Sequence, residues 1–269
     1  MLVYSHRGYP AGGHENTEEA FLRAIALGVD GIETDVRVTA DGELILWHDR
    51  LSPSGRPIAT STLAEIEREA GFTVPRLSEI LALFPHVAWN LEMKSVPAGE
   101  RTLELLRKLD PATRILVSSF RHDLVARYIE ETDLACGLLV AHRPRHAIDL
   151  VASFAGARRS LAAIVWCFEF MDADAAREAR DLALWNFAYN VQTLEEHELA
   201  YAWGLDAVIT DWPEHARATT AGSLPPADTR LSPQLAFPSS PTGVAEPTRN
   251  APVPPIVPST PPEAVAGGA

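Results

Sequence analysis

Gly31-Ile32-Glu33-Thr34-Asp35-Val36-Arg37-Val38-Thr39-Ala40-Asp41-Gly42-Glu43-Leu44-Ile45-Leu46-Trp47-His48-Asp49 sets the reading of the whole chain. Two β-rich arms flank Asp41-Gly42, a dipeptide that favours tight hairpins. Gly31 to Val38 reads as a strand, and Glu43 to His48 as an extra strand folded back on it. Side chains along a strand alternate faces, so Glu33 and Asp35 project together. A two-residue turn at Asp41-Gly42 opposes Asp35 with His48 on that face. A bulge at the turn shifts this register.

Outward from the hairpin, strand-like and helix-like runs alternate. Strands are expected at Leu2 to His6, Gly31 to Val38, Val87 to Lys94, Ile115 to Phe120, Leu134 to Val140, Ala162 to Phe168, Leu182 to Asn190 and Ala207 to Asp211. Helical spacing runs through Thr17 to Leu27, Leu77 to Phe84, Glu100 to Leu109, Asp123 to Glu131, Ala147 to Phe154, Ala173 to Asp181 and Leu194 to Trp203. Such alternation points to a parallel sheet with helical crossovers. Eight units point to closure, an α/β fold of the (β/α)8 TIM-barrel type with one added hairpin strand. Near residue 221 the composition changes, and the remainder holds 12 of the 21 prolines and few charges. Segments of that kind cannot bury enough apolar area to offset ordering. The expected organisation is a barrel domain over residues 1–220 and a disordered Pro-rich tail over 221–269, with no role assigned to the tail.

The chain has 269 residues, 46% of them hydrophobic, and a formal net charge of −13. Nucleic acid and anionic membranes need a basic surface, so neither is an expected partner. No apolar run reaches the roughly 18 residues that span a bilayer. Met1-Leu2-Val3-Tyr4-Ser5-His6 lacks a basic start followed by an apolar segment, so a cytoplasmic location is expected. Oligomeric state leaves no mark in the sequence. Cys136 and Cys167 sit in apolar runs and are expected in the core.

Carboxylates inside strands rich in Val, Ile and Leu are costly unless they are paired or bind a metal. Glu92 and Lys94 stand two apart on the third barrel strand. His6, Glu33, Asp35 and Glu92 all fall near the C-terminal ends of strands, where barrels gather catalytic groups. Three converging carboxylates suit a hard divalent cation such as Mg²⁺ or Ca²⁺. The alternative is a structural ion-pair cluster with Arg7 and Lys94. His14 is a surface residue or a lining of the mouth. His86, His122, His142, His146, His197 and His215 fall on expected loops and helices and read as solvated. Trp212 either roofs the site or packs beside it.

His6-Arg7-Gly8, Glu15-Asn16-Thr17, Glu33-Thr34-Asp35, His48-Asp49, Glu92-Met93-Lys94, Ser118-Ser119-Phe120 and Thr210-Asp211-Trp212-Pro213 follow one another in order. This set resembles the glycerophosphodiester phosphodiesterase family over about residues 1 to 215. The resemblance implies a β/α barrel, with Glu33, Asp35 and Glu92 on the divalent metal and His6 and His48 as the acid–base pair. It implies hydrolysis of glycerophosphodiesters to sn-glycerol 3-phosphate and an alcohol, a small-molecule substrate held with Arg7, Lys94, Glu15, Asn16, Asn190 and Trp212. Two departures stand out. Only Arg50 to Val74 connects His48-Asp49 to Pro75, where the family often carries a longer insertion. Phe187-Ala188-Tyr189-Asn190 replaces the family's usual Trp-Thr-Val-Asn run and keeps its Asn. A lysophospholipase D or sphingomyelinase D type of lipid phosphodiesterase is the nearest alternative, and its mark is an apolar patch at the barrel mouth. A barrel that binds phosphate esters without turnover is the other, although it has no need of two titratable histidines.

Overall fold

The computed structural model describes residues 1–109, 113–154 and 161–220. The Pro-rich segment expected as a tail lies outside them.

Eight parallel strands close into a ring: β1 (Leu2–His6), β2 (Gly31–Val38), β4 (Ala88–Met93), β5 (Ile115–Ser119), β6 (Ala135–Val140), β7 (Leu161–Cys167), β8 (Trp185–Tyr189) and β9 (Ala207–Thr210). Pairing of β1 with both β9 and β2 completes the closure. The ninth strand, β3 (Leu44–Leu46), lies outside the ring, antiparallel on β2. Helices α1 (Glu18–Ala26), α2 (Leu63–Ala70), α3 (Leu77–Leu83), α4 (Val96–Leu106), α5 (His122–Glu131), α6 (Ala147–Val151), α7 (Ala173–Asp181), α8 (Leu194–Ala202) and α9 (Pro213–Thr220) fill the crossovers and the C-terminal side. None of these helices is long and apolar enough to cross a membrane.

Period-2 alternation sorts each strand between two cores. Outward residues such as Val3, Ile32, Trp89, Leu91, Val117, Leu138, Ile164 and Val208 pack under the helices. Inward residues Tyr4, Ala88, Leu116, Leu139, Ala163, Val165, Phe187, Ala207 and Ile209 fill the barrel. Gly31 is required on the inner face, because a Cβ there would meet the Tyr4 ring at 2.3 Å. Toward the C-terminal ends the inner face turns polar, with Glu33, Asp35, Asn90, Glu92 and Ser118 all buried. The apolar floor and polar mouth set the site at one end. Both cysteines are buried and free, as expected.

The hairpin differs in register from the two-residue turn. Val36 pairs with Leu46, Arg37 with Ile45 and Val38 with Leu44. Thr39 N–H donates to the Glu43 carbonyl at 3.0 Å, which encloses three residues, Ala40, Asp41 and Gly42. Gly42 takes φ +85°, a left-handed conformation that glycine adopts without steric cost. Trp47, not His48, therefore lies opposite Asp35 and donates to its carbonyl at 3.0 Å. Past Trp47 the chain leaves the ladder, and Arg37 clasps the His48 carbonyl with Nε at 2.9 Å and Nη2 at 2.6 Å.

Other boundaries moved for local reasons. Helix α4 starts four residues before its expected Glu100, because Ser95 caps it and Pro97 sits in the first turn, where no N–H is needed. Strand β8 starts at Trp185 rather than Leu182, since Leu182 caps α7 and Ala183 takes φ +59°. Helix α2 was not expected in the Arg50 to Val74 connection. Thr62 and Glu65 form a reciprocal capping box at its start, and Gly71 closes it in the left-handed conformation.

Candidate active site

Strand β1 ends in a sharp turn. Arg7 and Gly8 both take positive φ, at 56° and 78°, and Arg7 N–H donates to the Glu33 carbonyl at 2.8 Å. A non-glycine residue in that region stores strain, and such strain gathers at functional sites. The turn swings the Arg7 guanidinium over β2, with Nε 3.1 Å from Asp35 Oδ2 and Nη1 2.9 Å from Glu15 Oε1. Just past the end of β4, Lys94 Nζ reaches Asp35 Oδ1 at 2.9 Å and Glu92 Oε1 at 2.7 Å.

Glu33, Asp35 and Glu92 thus stand on two neighbouring strands, paired Asp35 to Glu92 in register. Each offers an oxygen within 4.8 Å of the others, and all three are buried. Their charges are unequal. Burial pushes the Glu33 carboxyl up to about 8, and the neighbouring Asp35 carboxylate adds to this. Burial works against ionised Asp35, yet Lys94 and Arg7 prevail and hold it below the usual carboxylate range. Glu92 is raised by burial, with Lys94 offsetting part of the effect. Glu33 Oε2 has no hydrogen-bond partner among the described residues, and His6 Nε2 stands 3.8 Å away. A buried carboxylate oxygen without a donor, beside two more carboxylates, fits a hard cation with oxygen ligands.

The two histidines are held alike. His6 Nδ1 lies 2.8 Å from Asp211 Oδ1, and His48 Nδ1 lies 2.9 Å from Asp49 Oδ1. A carboxylate can only accept, so each Nδ1 carries the proton and each Nε2 is left for the cavity. Burial disfavours a charged His6, but the Asp211 hydrogen bond and the Glu33 carboxylate outweigh it and raise its pKa.

A cavity of about 290 Å³ opens here, and His6, Arg7, Glu33, His48, Glu92, Lys94 and Asn190 line it. Asp35 lies beneath these residues, fully enclosed. Asn16 is elsewhere: its amide nitrogen donates to Asp35 Oδ2 at 3.0 Å and its oxygen accepts from Thr34 at 2.7 Å. With both ends engaged it braces Asp35 instead of facing the cavity. Glu15 borders a second pocket beside the first. Trp212 is 44% exposed, stacks on His215, and is not part of the cavity lining.

Sequence reasoning gave Asp211, Asp49 and Arg37 no role, although the first two stood inside quoted motifs. It also passed over Asn90. Asn90 is two residues before Glu92 and so shares its face, and it lines the cavity with a buried Nδ2 that has no partner among the described residues. His197 is a correction. It is fully buried, with Nδ1 2.6 Å from the Thr193 carbonyl and Nε2 3.0 Å from Thr210 Oγ1. Its place on α8 faces β9 rather than solvent, and burial lowers its pKa. His14 is exposed, as a surface residue would be, but stacks on Phe72.

A family model described as the glycerophosphoryl diester phosphodiesterase family matches residues 6–215. A glycerophosphodiester phosphodiesterase from Caldanaerobacter subterraneus is 30% identical over 237 residues, covering 79% of this chain and 95% of its own. One from Bacillus altitudinis is 28% identical, covering 80% and 96%. Among solved structures, a glycerophosphodiester phosphodiesterase from Thermotoga maritima superposes with a TM-score of 0.68 at 26% identity, covering 80% of this chain and 96% of that one. A phosphodiesterase from Oleispira antarctica, solved with its product sn-glycerol-3-phosphate, gives a TM-score of 0.72 at 20% identity, covering 82% and 97%.

Proposed function

The chain belongs to the glycerophosphoryl diester phosphodiesterase family, and we propose that it hydrolyses glycerophosphodiesters to sn-glycerol 3-phosphate and the free alcohol at the mouth of its barrel. The carrying observation is the meeting of three buried carboxylates, two cations and two aspartate-held histidines at one cavity. The product named for the Oleispira relative agrees with this choice of substrate.

Glu33, Asp35 and Glu92 are the residues that would hold a divalent cation, Mg²⁺ or Ca²⁺. When bound, such an ion draws charge from a phosphoryl oxygen and acidifies a nearby hydroxyl. Arg7 and Lys94 bring positive charge against the remaining phosphoryl oxygens, Arg7 as a planar fork and Lys94 as a point charge. Asn90 Nδ2 supplies a neutral donor deeper in the cavity. His6 and His48 act as a pair, one taking a proton from the attacking hydroxyl, the other giving one to the leaving oxygen. The attacking group is the substrate's own 2-hydroxyl, with a cyclic phosphate opened by water afterwards, or water directly. Lys94 also spaces the carboxylates, since without it Asp35 and Glu92 would repel each other.

The lipid-active alternative asks for a contiguous apolar rim. Of the cavity-lining residues, Phe120 is the large apolar side chain that is exposed, at 46%, so the structure gives that reading no specific support. Incubating the full chain with a panel of glycerophosphodiesters, with Mg²⁺, with Ca²⁺ and with chelator, tests the proposal. Release of sn-glycerol 3-phosphate that stops with chelator and returns with a divalent cation is expected. No release from any ester with either cation would contradict it.

A further inference from the structure

The two histidines are anchored unequally. His6 closes β1, which is hydrogen-bonded to a strand on each side, and its ring is held by Asp211 just past β9. His48 lies two residues beyond the end of β3. Its Nδ1 meets Asp49, but Asp49 is its immediate chain neighbour and is 75% exposed. That bond turns the ring without tying it to the barrel. Among the described residues, the other hydrogen bonds of His48 are the two that its carbonyl accepts from Arg37.

Arg37 stands on β2, two residues past Asp35 and four past Glu33, so it shares their strand and face. A guanidinium usually takes a carboxylate, whose two oxygens match its fork. Asp35, Glu92 and Asp49 are close enough to act on Arg37 through their charge. Yet these carboxylates pair with Arg7, Lys94 and His48, and Arg37 spends its half-buried charge on a neutral peptide oxygen. The hairpin is already held without it. Three residue pairs run along the ladder, and Trp47 N–H donates to the Asp35 carbonyl. What the fork adds is a hold on the next residue, which has left the ladder.

Resting on the hydrolase reading above, we infer that Arg37 is a positioning residue for His48: its guanidinium ties the His48 backbone to the strand that carries Glu33 and Asp35, and so fixes where His48 Nε2 stands relative to those carboxylates. One rigid element then sets both the carboxylates and one member of the acid–base pair. Without the fork, the imidazole sits on an untethered stretch of chain, and a misplacement of about 1 Å can cost about 10²-fold in rate.

Arg37→Met keeps the length of the side chain and removes both donors. It is expected to lower kcat about 10- to 100-fold, with KM little changed and no rise in the cation concentration needed for half-maximal activity. The same substitution made in His48→Ala should change kcat less than about twofold, because no imidazole is left to place. Arg37→Lys keeps the charge and loses the fork. A severalfold or greater loss of kcat is expected, and this variant carries the test if Arg37→Met does not fold. A second readout needs no turnover. Carbon-13 relaxation at the histidine ring Cε1, assigned through His6→Ala and His48→Ala, should give a lower order parameter for His48 in Arg37→Met than in wild type, with His6 unchanged. Equal fold losses in the two backgrounds, a fully active Arg37→Lys, or an unaltered His48 order parameter would each overturn the inference. No turnover by the wild-type protein would sink the hydrolase reading, while the relaxation data would still decide whether Arg37 places His48.

Discussion

His6 and His48 each turn Nδ1 to an aspartate, which fixes the tautomer and leaves Nε2 as the atom that would move protons in the proposed reaction. Groups that move protons act on the transition state, whereas Glu33 would act on the ion. Removing them should therefore have different kinetic signatures. His6→Ala and His48→Ala are each expected to lower kcat by about 10²–10⁴-fold with little change in the cation concentration needed for half-maximal activity. Glu33→Ala should raise that concentration instead. The double histidine variant should be little worse than the worse single one, because the pair acts as a unit. Steady-state kinetics across a cation titration checks both, and additive histidine losses would contradict the paired mechanism. The carboxylates were legible because a buried carboxylate among Val, Ile and Leu demands a partner. Asp211 was not. An aspartate at a strand end is unremarkable until the ring closes and β1 lies beside β9.

At the scale of elements, periodicity located all eight barrel strands, because each must hide one face under helices and the other inside the ring. It missed what local chemistry decides. Whether Asp41-Gly42 turns in two residues or three depends on Gly42 taking a left-handed conformation after Ala40-Asp41, and both turns share one sequence signal. Helix α2 carried a readable Thr62-x-x-Glu65 box and Gly71 stop, but its eight residues hold just two large apolar side chains, Leu63 and Ile66. His197 was missed because position on a helix does not say which neighbour the helix faces. Its burial makes a prediction. Burial depresses its folded pKa, so between that value and about 6.5 the unfolded chain binds more protons than the folded one. Neutral His197 therefore contributes stability above about pH 6.5 that is lost as pH falls through the folded pKa. Urea melts of wild type and His197→Gln should show a stability gap at about pH 7 that narrows by about pH 5. A gap independent of pH would mean that the ring does not titrate as its burial requires.

The whole molecule sets two cations, Arg7 and Lys94, among three buried carboxylates in a strongly negative chain. Arg7 and Lys94 hold Asp35, and on the proposed reading a phosphate ester is drawn in past a net charge of −13 by these cations together with the divalent ion that the three carboxylates would hold. If residues 221–269 add nothing to the barrel, deleting them should leave both melting temperature and turnover nearly unchanged. A large loss of either would make them part of the fold or the site. The central claim is that Glu33, Asp35 and Glu92 share one divalent cation beside the two histidines. Diffraction from crystals grown with Mn²⁺, recorded for its anomalous signal, tests this most directly. A single strong peak among the three carboxylates is expected, with metal–oxygen distances of about 2.0–2.6 Å. A peak elsewhere with none between these side chains, in crystals of a protein that hydrolyses the ester with Mn²⁺, would contradict the account.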